Sequence, residues 1–181
     1  MNYMKIKYPD VANGPGVRVS LFVSGCFQRC QGCFNPEAWD PRAGKPYTQE
    51  TEAELLRHLS WPEVSGLSIL GGEPMLLTHL PLLAKLVWRA KSSFPEKSIW
   101  VWTGYEYEAV SAFLGHPATE RRLRAMQDQL NVILTMADCL VDGPYIEAEK
   151  DLTLPFRGSR NQRIIDLQGT KEKGEVVLWQ G

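Results

Sequence analysis

The chain has 181 residues, 44% of them hydrophobic and 23% charged, the balance of one folded domain rather than a disordered or fibrous chain. Twenty Lys and Arg against 21 Asp and Glu leave a net charge of −1, which gives no basic field for nucleic acid or an anionic membrane, and no apolar run is long enough to cross a bilayer. The first seven residues lack the apolar core of a secretory leader, so the sequence predicts a cytoplasmic protein whose thiols stay reduced.

The first predicted strand is Val17 to Val23, a period-2 run that stops just before Cys26-Phe27-Gln28-Arg29-Cys30-Gln31-Gly32-Cys33. A connection with Pro41 and Pro46 leads to Thr51-Glu52-Ala53-Glu54, read as a capping box, and to a helix whose apolar face carries Leu55, Leu56 and Leu59. Trp61-Pro62 and Ser65-Gly66 break that helix, and Leu67 to Leu70 then runs as a strand into Gly71-Gly72-Glu73-Pro74. A helix from Leu80 to Ala90, a strand from Ser98 to Trp102 ended by Thr103-Gly104-Tyr105, and a helix from Glu106 to Leu114 follow. Ala118 to Leu130 is a charged helix whose Arg121, Arg122 and Arg124 read as a solvated face, with docking to an acidic partner as the alternative. Cys139 to Val141 and Arg163 to Leu167 complete the strands, and the segment from Gln168 is expected to be mobile, although Val176 to Trp179 could dock.

Alternating strands and helices imply parallel strands with right-handed crossovers, which collect function at the C-terminal strand ends. The cysteine loop, the Gly-Gly-Glu-Pro turn, Thr103 and Asp142 all fall at that edge. The length is short for a closed eight-stranded barrel of about 250 residues. The expected fold is therefore α/β, a partial β/α barrel with a mostly parallel, curled sheet.

Three of the four cysteines crowd into eight residues. A disulfide framework would spread them, and a reducing compartment would not keep it, so metal ligation is the better reading. Structural zinc wants four ligands, commonly in two pairs, and neither a second pair nor a grouped His58, His79 or His116 supplies one. Three thiolates suit a cubane iron–sulfur cluster with one iron free to take a substrate. A fourth ligand from Cys139 would close the cluster, but that residue sits in an apolar strand and reads as a small hydrophobe.

Cys26-x-x-x-Cys30-x-x-Cys33 followed by Gly71-Gly72-Glu73-Pro74 resembles the paired motifs of the radical S-adenosylmethionine enzymes. Asn13 to Arg18, Phe22 to Cys26, Gly32 to Asn35, Trp100 to Tyr105, Leu140 to Gly143 and Arg157 to Gln162 are together similar to the activating proteins of anaerobic ribonucleoside-triphosphate reductases. The resemblance spans residues 1–167, a radical S-adenosylmethionine domain, and leaves 168–181 as a tail. It implies a [4Fe–4S] cluster on Cys26, Cys30 and Cys33 and S-adenosylmethionine at the open iron. Cleavage would yield a 5′-deoxyadenosyl radical that takes hydrogen from a glycine Cα of the large reductase subunit, with a flavodoxin-type electron donor. By the same resemblance Gly71 and Gly72 let the backbone approach the methionyl group, Glu73 and Pro74 complete that turn, Gly32 and Phe34 lie against the adenine side, and Thr103 and Asp142 are candidates for hydrogen bonds to the cofactor. Asn13 stands where related activases often have Asp, which puts a cation site there in doubt. Alternatives are activation of another glycyl-radical enzyme, a small-molecule radical reaction, and a non-enzymatic iron–sulfur or zinc module for electron transfer or scaffolding.

Overall fold

A computed structural model describes residues 1–181. Its strands are β1 (Asn2–Asp10), β2 (Val17–Val23), β3 (Lys45–Pro46), β4 (Val64–Gly71), β5 (Ser98–Trp102), β6 (Cys139–Asp142) and β7 (Arg163–Asp166). The helices are α1 (Gln49–Leu59), α2 (Leu80–Ser93), α3 (Tyr107–Gly115), α4 (Arg121–Met136) and α5 (Leu167–Lys173). All seven strands form one open sheet in the order β3-β1-β2-β4-β5-β6-β7. The four central strands are parallel, as the alternation predicted. The expectation of a mostly parallel sheet is corrected, because β1 runs antiparallel to both β2 and β3, and β7 antiparallel to β6. The cause is connection length: the short link from Asp10 to Val17 allows only a return beside β1, whereas parallel neighbours need a crossover. The sheet is mixed and does not close on itself.

Each strand alternates its side chains between two faces. Val19, Leu21, Val23, Leu67, Ile69, Ile99, Val101 and Leu140 pack in the main core with Leu55 and Leu59 of α1, Leu83 and Val87 of α2, and Leu130 and Ile133 of α4. Trp100, Cys139, Val141 and Ile164 form a smaller apolar cluster, joined by Trp102, Phe156 and Trp179. Beside it Arg18 is fully buried without a carboxylate partner. Its five N–H groups donate to the Ser68 and Ser98 hydroxyls and to the Pro15, Leu67 and Ser98 carbonyls, which offsets the cost of burying the charge. Burial still lowers its pKa to about 10.

Other local expectations also shift. The cap of α1 is Thr48, three residues before the predicted box: its hydroxyl accepts from the Thr51 N–H while the Thr51 hydroxyl accepts from the Thr48 N–H. The predicted helix at Ala118 to Leu130 starts at Arg121 and continues to Met136. The segment after Gln168 is not a loose tail, because α5 occupies Leu167–Lys173 with Asp166 as its cap. Leu178 bridges to Ile165, and the Trp179 N–H donates to the Ile164 carbonyl, which sets the Trp179 ring 5.1 Å from Trp100.

Candidate active site

Four strand ends meet at one edge. The loop after β2 carries the three cysteines, the turn after β4 is Gly71-Gly72-Glu73-Pro74, Thr103 follows β5 and Gly143 follows β6. Between them lies a cavity lined by Cys26, Cys30, Cys33, Phe34, Trp39, Gly71, Gly72, Glu73, Trp102, Thr103, Gly143 and Tyr145, among others.

The cysteine loop and the glycine turn are fastened to each other through backbone. The Gly72 N–H donates to the Val23 carbonyl at 2.8 Å and the Glu73 N–H to the Gly25 carbonyl at 2.7 Å. Gly71 has φ +114°, and a Cβ there would lie 2.7 Å from the backbone nitrogen and oxygen of Val23. A Cβ on Gly72 would run into the backbone of Gly25. The paired glycines are thus required by the chain's own close packing immediately before Cys26.

Glu73 is buried, and its side chain turns inward to the protein. One carboxylate oxygen accepts from the Met75 N–H and the Thr103 hydroxyl, both at 2.8 Å, and the other from the Gly104 N–H at 2.7 Å. Burial pushes its carboxyl above the usual carboxylate range, with these donors working against the rise. Asp142 is committed in the same way: its carboxylate accepts from the Tyr107 N–H at 2.8 Å and from the Arg163 guanidinium, which also grips Glu108. Asn13 donates to Asp10 at 2.6 Å, a bond its amide can make and a carboxylate could not.

Gly32 has φ +72°, and the Glu147 carboxylate fills the space a Cβ would need. Glu147 in turn accepts from the Tyr145 hydroxyl at 2.5 Å, so the β6–β7 connection closes against the cysteine loop. Phe34 is 78% exposed at the rim. The sequence did not single out Trp39, Tyr145 or Glu147; nothing in their local pattern marks residues brought in from other loops.

The donor set fits an iron–sulfur cluster. Three thiols, those of Cys26, Cys30 and Cys33, line one cavity, and thiolate sulfur is the donor such clusters take. Trp39, on the cavity wall, has a buried indole N–H without an acceptor in the protein, and sulfur is an acceptor such a group can use. Burial pushes the Cys26 thiol up, against the N–H groups of Gln28 and Arg29. Cys139 is absent from the wall; it is buried among Trp100, Val141 and Ile164, and burial pushes its thiol up to about 12. Of the histidines, His79 is buried with Nδ1 3.0 Å from the Glu73 carbonyl and His58 stacks on Tyr8, so neither completes a ligand set.

These features define a single-cluster iron–sulfur protein, and residues 12–165 match the family model of the 4Fe-4S single cluster domain. The chain is 39% identical to the anaerobic ribonucleoside-triphosphate reductase-activating protein of Vibrio cholerae, with 91% of this chain and 97% of that protein covered. It is 39% identical to the protein of that name from Enterobacteria phage T4 (91% and 93% covered) and 36% to that from Escherichia coli K12 (93% and 100%). The chain belongs to the anaerobic ribonucleoside-triphosphate reductase-activating protein family. No solved structure matches it significantly. None of its helices is long and apolar enough to cross a membrane.

Proposed function

We propose that this chain is a radical S-adenosylmethionine activase: it cleaves S-adenosylmethionine reductively and thereby places a glycyl radical on the large catalytic subunit of an anaerobic ribonucleoside-triphosphate reductase. The observation that carries the reading is the fastening of the three-cysteine loop to the Gly71–Pro74 turn across one cavity, with Cys139 elsewhere. Cys26, Cys30 and Cys33 would hold the [4Fe–4S] cluster and leave one iron without a protein ligand. When bound, that cluster supplies the single electron that splits the sulfonium into methionine and a 5′-deoxyadenosyl radical.

The chain's own residues bind, orient and shield. Gly71, Gly72 and Pro74 present the turn to the methionyl end, and Glu73, held by Thr103 and Gly104, keeps that turn in place. Gly32, Cys33 and Phe34 form the rim on the adenine side. Thr103 is a positioning residue here, since its hydroxyl donates to Glu73 and accepts from the Tyr105 N–H. The reductase loop enters through a second cavity of about 340 Å³, lined by Asn13, Leu70, Trp102, Tyr145, Phe156 and Arg157 among others, which shares Phe34, Leu70, Trp102, Tyr145 and Gln162 with the first. The reductant is a flavodoxin-type protein and the compartment the cytoplasm.

The test is anaerobic. The chain is loaded with iron and sulfide, given dithionite and S-adenosylmethionine, and assayed for 5′-deoxyadenosine and for an electron spin resonance doublet with and without the reductase subunit. Product together with a doublet that requires the reductase is the expected result. Product without the doublet points to another substrate, and a fully loaded chain that makes no product favours a plain electron carrier.

A further inference from the structure

The three turns that wall the cavity have an outer side as well. Cys26 and Gln28 line the cavity, while Phe27 between them lines a separate groove; Gly104 lines the cavity, while Tyr105 lines the groove. No residue is shared between the two. The groove has a volume of about 600 Å³ and is almost wholly apolar, with Phe27, Leu76, Leu77, Tyr105, Val110 and Phe113 along it. Phe27 is 68% exposed and Leu77 52%, which makes this a contiguous apolar surface of the kind that marks an interaction site.

We propose that this groove is the docking site of the protein that delivers the electron, and that the partner's contact face is acidic. The inference rests on the radical reading above and names the place where its reductant binds. Arg122 lies in the groove, Arg121 and Arg124 stand on the same helix end, and Arg29 is exposed two residues beyond Phe27. None of these four guanidinium groups takes part in any of the eight ion pairs of the molecule. Of the acids on the adjoining turns and on α4 itself, Glu108 is held by Arg163, leaving Glu106, Glu120 and Asp128 against the four arginines. An apolar centre with Arg122 in its lining and further arginines outside any ion pair close by in the chain suits a partner with a complementary acidic rim.

The position fits electron delivery better than the alternatives. A donor seated here is separated from the cysteines by one turn of chain, and it leaves the cavity free for S-adenosylmethionine and the reductase loop. The protein that receives the radical has to reach the cavity itself, on the other side of that wall. A second copy of this chain would set the arginines against one another. The exchange is balanced: the donor's reduced flavin loses one electron, the iron–sulfur site gains it, and no bond is made or broken.

The experiment compares two reductants on the loaded chain, flavodoxin reduced by its NADPH-dependent reductase and dithionite, which needs no docking. It uses wild type, an Arg121→Glu/Arg122→Glu double variant and Leu77→Asp. At limiting flavodoxin, 5′-deoxyadenosine formation in the variants should fall at least tenfold and recover as flavodoxin is raised, while dithionite gives the wild-type rate. Flavodoxin binding measured directly by calorimetry should weaken in parallel, and in wild type it should weaken with salt. Unchanged flavodoxin-driven rates and binding would overturn the proposal. So would equal loss with both reductants at full iron content, a loss confined to reductase activation under dithionite, or a dimer that Leu77→Asp dissociates. If wild type makes no product even with dithionite, the radical reading fails instead, and the binding measurement still decides the groove.

Discussion

Glu73 and Thr103 stand thirty positions apart in the chain, yet the Thr103 hydroxyl donates to the Glu73 carboxylate at 2.8 Å, beside the Gly104 N–H at 2.7 Å. One buried carboxylate therefore ties the end of β4 to the end of β5. Glu73→Gln keeps the shape but turns an amide NH2 toward at least one backbone N–H. Loss of a charged acceptor and a buried unpaired donor together cost on the order of 2–3 kcal/mol. The urea midpoint of the chain should drop accordingly, while Thr103→Val, which removes one of three donors, should cost about 1 kcal/mol. A Glu73→Gln midpoint equal to wild type would show that the clamp does not hold the turn.

The glycine turn gives a second expectation. Gly72→Ala drives a methyl group into the backbone of Gly25, where no flexible side chain can yield. Overpacking of this kind costs about 1–3 kcal/mol, and the strain falls one residue before Cys26. Iron and sulfide retained per chain after reconstitution should fall together with the melting temperature. A variant that melts lower but keeps full iron would separate the turn from the cysteine loop.

Much of this site is visible in the sequence because it is local. The spacing of Cys26, Cys30 and Cys33, the apolar runs that become β2, β4 and β5, and the glycines at their ends are each contained in a few residues. The strand β1 carries the same kind of local signal, with Lys5, Lys7 and Pro9 exposed and Ile6 and Tyr8 turned inward. What cannot be seen are partners that meet from distant loops: Thr103 and Asp142, expected to face a cofactor, spend their side chains on Glu73, Tyr107 and Arg163. The Asp166 cap and the bridge at Leu178 that fix the last residues depend on β7 being an edge strand, which no local pattern announces.

Acid sensitivity should centre on Asp10. Burial raises its pKa, but hydrogen bonds from Asn13, Ser20, Lys7 and the Ala12 N–H outweigh that and bring it to about 2. A carboxylate lowered on folding stabilises above its unfolded pKa near 4 and loses that contribution as pH falls toward 2. The shift corresponds to about 2 kcal/mol at neutral pH. Asp10→Asn should therefore be less stable than wild type by about that amount at pH 7, and the gap should narrow below pH 4 in urea titrations of the apo chain. A gap independent of pH would assign the loss to packing.

The four cysteines divide cleanly in what their removal should do. Cys26→Ala, Cys30→Ala and Cys33→Ala each delete a thiolate from the cavity wall, and two sulfurs cannot hold a cubane, so iron and sulfide binding and 5′-deoxyadenosine formation should all be abolished. These sites are only half-buried, and the apo variants should melt close to wild type. Cys139→Ala acts in the reverse sense. Its thiol is packed against Trp100, Val141 and Ile164, and truncating it opens a small void that costs roughly 1–2 kcal/mol. The melting temperature should fall while iron content and product formation stay at wild-type levels. Loss of the cluster in Cys139→Ala would mean a fourth thiolate and a closed iron, and a closed iron has no place for S-adenosylmethionine; the protein would then be a carrier of electrons rather than a source of radicals.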